Sequence, residues 1–430
     1  MQSKLVPLLA IVLTGIIARA QDTLTLDRCL ALARSNSPAL RAADDAIRAS
    51  SLASSQISRS ALPQLKAVAG TIYAPESIQF GYDPAITNGG QVAGQLVLQQ
   101  SLYDGGLRSI KSDQYDLDAE RLLHERSRTD RDLTCAVQQA YIEVLRSQRE
   151  IELQEQSVTQ DSSYLNLVQR FYASGNAAYT DVLKTEVQLS SARIALQKSI
   201  ESFRTALNAI TELIGAQLDP GLTISGHLED VVDGRSDTLT SGLGENLDLR
   251  IADLTIARTA LEVDLTRHER YPTITAFGDA GYLSSIDNYR LPSSDRVKAI
   301  GYSVGIGVEL PLLNWGATGL QAEQRGLEVD ALRQQTELLR RSLTRDLSNT
   351  RLALFNARAR LSALHANVAK AEENFLLTRS RFAGGAALSL EVLSARQLLT
   401  ETKIDELETV ASIQLLAAKL HQLTTPSYAH

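Results

Sequence analysis

The chain has 430 residues, of which 44% are hydrophobic and 22% charged, with a formal net charge of −7. That balance excludes an intrinsically disordered protein. Lys and Arg are spread along the sequence instead of clustered, so the electrostatic footprint of a nucleic-acid binder is missing and no such partner is expected.

Residues 1–20 carry Lys4, an apolar run at 5–17 and the small-residue ending Ala18-Arg19-Ala20, the pattern of a secretory signal peptide cleaved before Gln21. The run is shorter than the roughly 20 residues that span a bilayer. No later segment is long, uncharged and apolar, so contact with a membrane must come from a helix lying flat or from a β-barrel. Two cysteines, Cys29 and Cys135, would meet an oxidising compartment after export. Their spacing leaves open whether they pair or stay as buried thiols.

Residues 26–62 read as helix and are stopped by Pro63. Residues 64–74 and 91–103 shift to period two around a polar stretch at 75–90, which predicts a strand, a long loop and a strand. After the Gly105-Gly106 pair no Gly or Pro occurs before Gly175, so one helix can run to Ala173, close to 100 Å at roughly 1.5 Å per residue. A break at 173–178 and a further helix follow.

The same order then returns. A helix reaches Tyr271 before Pro272, and strands are predicted at 273–282 and 302–312 around a polar loop holding Pro292. A long helix at 316–382, a break at 383–387 and a last helix complete it. Residues 98–213 lie over 308–423 without a gap at an offset of 210, pairing Leu102 with Leu312, Gly106 with Gly316, Gly175 with Gly385 and Leu189 with Leu399. One residue out of step, Leu40-Arg41 matches Leu249-Arg250 and Pro63 matches Pro272. This is one duplication and no solenoid. It divides the mature chain into a first structural repeat at 21–215, a Gly, Asp, Ser and Thr rich linker at 216–244, and a second repeat at 245–430.

The long helices carry an apolar seam at alternating four and three residue spacing, through Leu343, Leu347, Thr350, Leu354, Ala357, Leu361, Leu364, Val368, Ala371 and Phe375. Leu133, Val137, Ala140, Val144, Ile151, Val158 and Leu165 follow it one repeat earlier. The spacing is that of a coiled coil, and its small mixed residues suit broad walls shared by several helices. In the last strand Tyr302, Val304, Ile306, Val308 and Leu310 point one way, while Ser303, Gly305, Gly307 and Glu309 point the other. Apolar-out with small or polar-in is the pattern of a transmembrane barrel. A half-exposed soluble sheet alternates in the same way, and the signal peptide favours the barrel. Four strands are too few to close one, since an open edge in lipid leaves backbone groups unsatisfied. The expected fold is therefore α plus transmembrane β: long coiled-coil helices with two strands per repeat, three chains contributing about 12 strands to one barrel.

These residues resemble the TolC-type outer membrane efflux protein family. The resemblance covers essentially all of the mature chain. It rests on the duplicated helix, strand, strand, helix, helix order, on the segment Leu62-Pro63-Gln64-Leu65, and on the corner Leu102-Tyr103-Asp104-Gly105-Gly106. It rests also on the turns Phe171-Tyr172-Ala173-Ser174-Gly175 and Arg381-Phe382-Ala383-Gly384-Gly385, the second matching the family's RFxxG pattern. The resemblance implies a homotrimer whose barrel stands in outer membrane lipid and continues as an α-helical tunnel through the periplasm. It implies a channel of a tripartite efflux or type I secretion system, fed by a periplasmic adaptor (membrane fusion) protein and an inner-membrane transporter. Phe171, Tyr172, Gly175, Arg381, Phe382 and Gly385 would form adaptor-docking hairpin tips, and Asp181 and Glu391 a periplasmic gate. Without the resemblance, those two acids read as ordinary first-turn residues favoured by the helix dipole. Ala387 and Ser394 depart from the best-known gate pattern, which has a basic and an acidic residue there.

Other readings fall away on context. Gly301-Tyr302-Ser303-Val304-Gly305 matches GxSxG, but that nucleophile elbow needs a strand-to-helix turn and Ser303 lies inside an alternating strand. Scattered histidines and the lack of a phosphate-cradling loop predict no metal, no cofactor and no enzyme. The alternative of another class is a periplasmic or surface coiled-coil scaffold that transports nothing. It would leave the apolar strand faces exposed to aggregation.

Overall fold

A computed structural model describes residues 24–74, 89–216, 224, 226–231, 246–285 and 298–424. The expected signal peptide, the loop around Pro292, most of the loop at 75–90 and most of the linker lie outside the described residues. The elements are α1 (Leu26–Asn36), α2 (Pro38–Arg59), β1 (Gln64–Ala74), β2 (Gly89–Tyr103), α3 (Leu107–Ala173) and α4 (Tyr179–Ile214), then a short 3-10 turn, Leu228–Asp230. There follow α5 (Leu247–His268), β3 (Thr273–Ser285), β4 (Lys298–Glu309), α6 (Ala317–Ala383) and α7 (Ser389–Thr424).

Local chemistry sets the boundaries. Ser37 leaves the helical region at φ −59°, ψ 117°, as expected of a residue before proline, so the first helix is two. Asn246 caps α5 by accepting from the amides of Asp248 and Leu249 at 2.9 and 3.4 Å. At the first strand-to-helix corner Asp104 accepts from the amides of Gly106 and Arg108 at 3.2 and 3.1 Å. Asn314, its equivalent in the second repeat, accepts from Gly316 at 3.2 Å. β4 starts earlier than predicted, at Lys298, and ends at Glu309. Leu310, expected as its last lipid-facing residue, therefore lies just past the strand, because Pro311 brings no N–H to a ladder.

The strands form one antiparallel sheet in the order β1-β2-β3-β4. Leu98 lies opposite Leu65 on one side and Gly278 on the other, and a bulge separates Ser101 from Tyr103. β1 and β4 are its edges.

Compactness cuts across the two repeats. One compact unit gathers α1, α4, α7 to Gln422, and α3 and α6 from Asp132 and Ser348 onward. Its core includes Cys29, Ala33, Val137, Ile142, Val144, Ile210, Ile214 and Ala411, with a second cluster around Val168, Phe375, Phe382 and Val392. The other unit gathers α2, α5, all four strands, and the earlier parts of α3 and α6, with Val263, Ala322 and Val329 as an apolar cluster. Cys29 and Cys135 are buried free thiols, and burial pushes Cys29 up to about 11.

Much of the predicted seam is buried, including Leu343, Leu347, Leu354, Ala371 and Phe375 in α6 and Val137 and Val144 in α3. Further along α3 the buried line moves to Gln154, Ser157, Asp161, Tyr164 and Val168, and Ile151, Val158 and Leu165 are only half-buried. A straight helix drifts about 20° per heptad against a strict seven-residue repeat. An arginine from α7 also needs polar partners on this face, as described below.

Candidate functional site

The strand face is the first candidate site. Tyr302, Val304, Ile306 and Val308 stand 66–83% exposed on β4. Cross-strand partners lie on one face of a sheet. The ladder therefore joins these residues to Gly278 and Ala276 on β3, to Leu96 and Leu98 on β2, and to Ala67 and Leu65 on β1. The opposite face carries Gln95, Gln99, Lys66, Asp279 and Ser303, and the Ser303 hydroxyl donates to Asp279. Phe277, which the pattern did not single out, lies across Gly305 on that face. A Cβ on Gly305 would come within 2.5 Å of the ring, so any larger residue there needs the Phe277 side chain to move.

The helical hairpin turns are the second. Gly175 at φ +78° and Gly385 at φ +73° occupy the left-handed region that favours glycine. The amides of Gly175 and Asn176 donate to Tyr172 and Phe171 at 3.0 and 2.8 Å; those of Gly385 and Ala386 donate to Phe382 and Arg381 at the same distances. Both turns are Schellman motifs with the glycine just past the helix. Open space surrounds each glycine's missing Cβ.

The predicted tip residues divide. Gly175, Tyr172, Arg381 and Gly385 are exposed, and Arg381 donates to the Ala386 carbonyl at 3.3 Å. Phe382 is only 6% exposed, so it cannot present itself to a partner as expected. Its ring lies 5.4 Å from that of Phe171 and 5.5 Å from that of Tyr164, which draws the half-buried Phe171 into the packing between the two hairpins. Asp181 accepts from the Ala178 amide at 3.2 Å and so caps α4, while Glu391 is exposed in the first turn of α7.

Between these hairpins lies a polar core that the periodicity did not disclose. Arg396 of α7 donates to Asp161 of α3 at 3.1 Å and to the Ser157 carbonyl and hydroxyl at 3.0 and 2.6 Å. The two charged side chains are 8% and 4% exposed. Burial holds the Asp161 carboxyl above the ordinary range, even with the guanidinium working the other way. Tyr164 donates to the Ser389 hydroxyl at 3.0 Å, and burial pushes its phenol up to about 12. Asp161 and Arg396 lie 235 residues apart, too far for any sequence window to pair them.

Among the described residues no group of His, Cys, Asp or Glu could hold a metal, and no helix is long and apolar enough to cross a membrane. The chain thus combines a four-stranded sheet with an exposed apolar face and long helices that turn back in hairpins. The chain belongs to the outer membrane efflux protein family, whose model matches residues 29–216 and 239–425. It is 25% identical over 323 residues to the proteases secretion protein PrtF of Dickeya chrysanthemi, covering 71% of this chain and 67% of PrtF. It is 22% identical over 265 residues to the outer membrane efflux protein BepC of Brucella suis biovar 1, covering 62% of this chain and 57% of BepC. The solved structure of CusC superposes with a TM-score of 0.79 at 15% identity, over 93% of this chain and 91% of that one. That likeness shows the fold: a helical tunnel with a β domain. The protein is an outer membrane channel of the efflux and secretion kind, with a periplasmic helical part.

Proposed function

We propose that the protein is the exit duct of a tripartite efflux or type I secretion system, working as a homotrimer. Three sheets close one barrel of about 12 strands in outer membrane lipid, and the helices form the tunnel beneath it. The observation that carries this reading is a four-stranded sheet with an exposed apolar face and two unpaired edges, which lipid tolerates only when closed by further copies. Relatives named for protease secretion and for efflux support a duct that receives its cargo from an inner-membrane transporter through a periplasmic adaptor.

On this reading Gly175, Gly385, Tyr172 and Arg381 offer the adaptor its surface at the hairpin turns, and Phe171 and Phe382 hold the two hairpins together behind it. Asp181 and Glu391 place carboxylates in threefold rings near the mouth, where charge rings disfavour anions and can hold cations. The repeats divide the work at 21–215 and 245–430, with 216–244 as the connection. The test is the native mass of the particle extracted by mild detergent from separated outer membranes. Three chains are expected; a monomer recovered in the soluble periplasm would refute the barrel and favour the scaffold.

A further inference from the structure

The two β-hairpins are built on one ladder. Moving β1 forward by 209 residues and β2 by 210 turns every pair of the first hairpin into a pair of the second. Gln64 with Gln99 becomes Thr273 with Glu309, Leu65 with Leu98 becomes Ile274 with Val308, and Ala74 with Gly89 becomes Leu283 with Ala299. The junction between the repeats, β2 against β3, has its own register, with Leu98 opposite Gly278 and Gln95 opposite Gly281. β4 is the equivalent of β2, and β1 of β3, and these two strands are the free edges.

We propose that a second copy of this chain supplies the missing neighbour and that the junction between copies reuses the β2–β3 ladder residue for residue. The inference rests on the trimeric barrel proposed above. Carried over with the same two offsets, the ladder sets Val308 opposite Ala69 of the next copy, Ile306 opposite its Thr71, Val304 opposite its Tyr73 and Glu309 opposite its Val68.

Four further features fit this register. First, it joins residues of one face: Ile306 and Val308 share their face, through the continuous ladder, with Ala67, Ala69 and Thr71. Equal offsets for both strands would join Ile306 to Gly70 and turn every side chain to the wrong side. Second, Pro311 falls at the position of Ser101, where the β2–β3 ladder shifts register, and bulges and edges are where a sheet tolerates proline.

Third, charge complementarity appears where two chains would meet. Gln99 lies opposite Phe277, diagonal to Thr275; in the junction between copies these positions become Glu309 and Lys66, both exposed in the single chain. Long side chains reach across such a diagonal. In the helices above, the ion pair of Arg250 with Glu120 becomes Arg41 with Asp330, again of opposite sign, with Asp330 also held by Arg333 of its own helix at 2.9 Å. Asp330 lines a cavity of about 1130 Å³ that also takes in Gly319, Ala322 and Gly326 of α6. In the transferred arrangement the neighbour's α2 runs beside α6 as α5 runs beside α3.

Fourth, the corner exchanges volumes. A Cβ on Gly105 would lie 3.0 Å from that of Tyr271, so a glycine sits under a tyrosine. The equivalents between copies are Trp315 and Leu62, a large residue beside a smaller one, 88% and 59% exposed in the single chain. Trp315 holds φ +55°, where Gly105 holds +71°.

Cross-linking tests the register. Directly opposed residues stand about 4.5–5.5 Å apart between α-carbons, a span a disulfide bridges, whereas a partner two residues along stands about 7–8 Å away. The full chain carrying Val308→Cys and Ala69→Cys, oxidised in outer membranes, should give covalent dimers and trimers. Val308→Cys with Thr71→Cys should give at least tenfold less. Lys66→Glu should make the trimer dissociate at lower temperature in detergent, and Glu309→Lys in the same chain should restore it. A trimeric particle that cross-links through the shifted pair would overturn the register and leave the barrel standing. A monomeric particle would overturn both.

Discussion

Replacing Asp161 by Asn strands a guanidinium inside the helical core, and the structure sets the size of the effect. Removing one member of a buried pair costs about 3–5 kcal/mol because the other is left uncompensated. Arg396 keeps its bonds to the Ser157 carbonyl and hydroxyl, and a third to Thr400 at 2.8 Å. The cost should therefore fall at the lower end, about 3 kcal/mol. Local opening between α3 and α7 would become about a hundredfold more frequent. Hydrogen exchange on peptides spanning 154–168 and 392–400 reads this directly, and peptides around 137–145 serve as the undisturbed reference.

Arg396→Met tests the same pair from the other side. Burial already raises the Asp161 carboxyl, and loss of the guanidinium raises it further. A carboxyl that binds its proton more tightly folded than unfolded adds stability as pH falls through its folded value, and the gain levels off below the ordinary value of 3.8. Arg396→Met should thus regain protection on acidification from neutrality, whereas Asp161→Asn should not. Unchanged exchange in both variants would refute the reasoning.

Arg at Ile306 should lower recovery in the outer membrane by about 2–4 kcal/mol if the site lies near the bilayer midplane, while Arg at Gly307 should change conductance more than insertion. Equal loss at both would contradict the assigned facing. Gly305→Val should impair sheet formation, because Phe277 occupies the space its side chain needs, and the smaller Phe277→Leu should relieve it; far-UV dichroism of the refolded protein reports both. Gly385→Ala meets no neighbour and bears only the left-handed strain of about 1–2 kcal/mol, leaving trimer yield intact. Gly385→Trp should abolish export while the trimer persists, and normal export would remove the docking role from this turn.

The alternation of β4, the prolines at 63 and 272 and the long glycine-free run of α3 were legible because each is a local pattern with a period or a stop. The repeat was legible because its offset survives 15 or more turns of helix without a gap in 98–213. What stayed hidden depends on neighbours remote in sequence. Phe382 looked like an exposed aromatic at a turn, and only the meeting of two hairpins buries it. Phe277 over Gly305 is a cross-strand contact that alternation alone does not show. The polar pair at 157 and 161 is partnered by Arg396, which arrives from another helix. Leu310 was misplaced for a local reason, the proline that follows it.

The two free edges of the sheet also set an order of events. A lone protomer would carry unpaired backbone and an exposed apolar face on the same four strands, so lipid is no refuge for it and water is no better. On the proposed trimeric barrel, insertion by single chains followed by association in the plane of the membrane is therefore disfavoured. On that proposal barrel closure and entry into the bilayer are one concerted act, whose rate should climb steeply with protomer concentration.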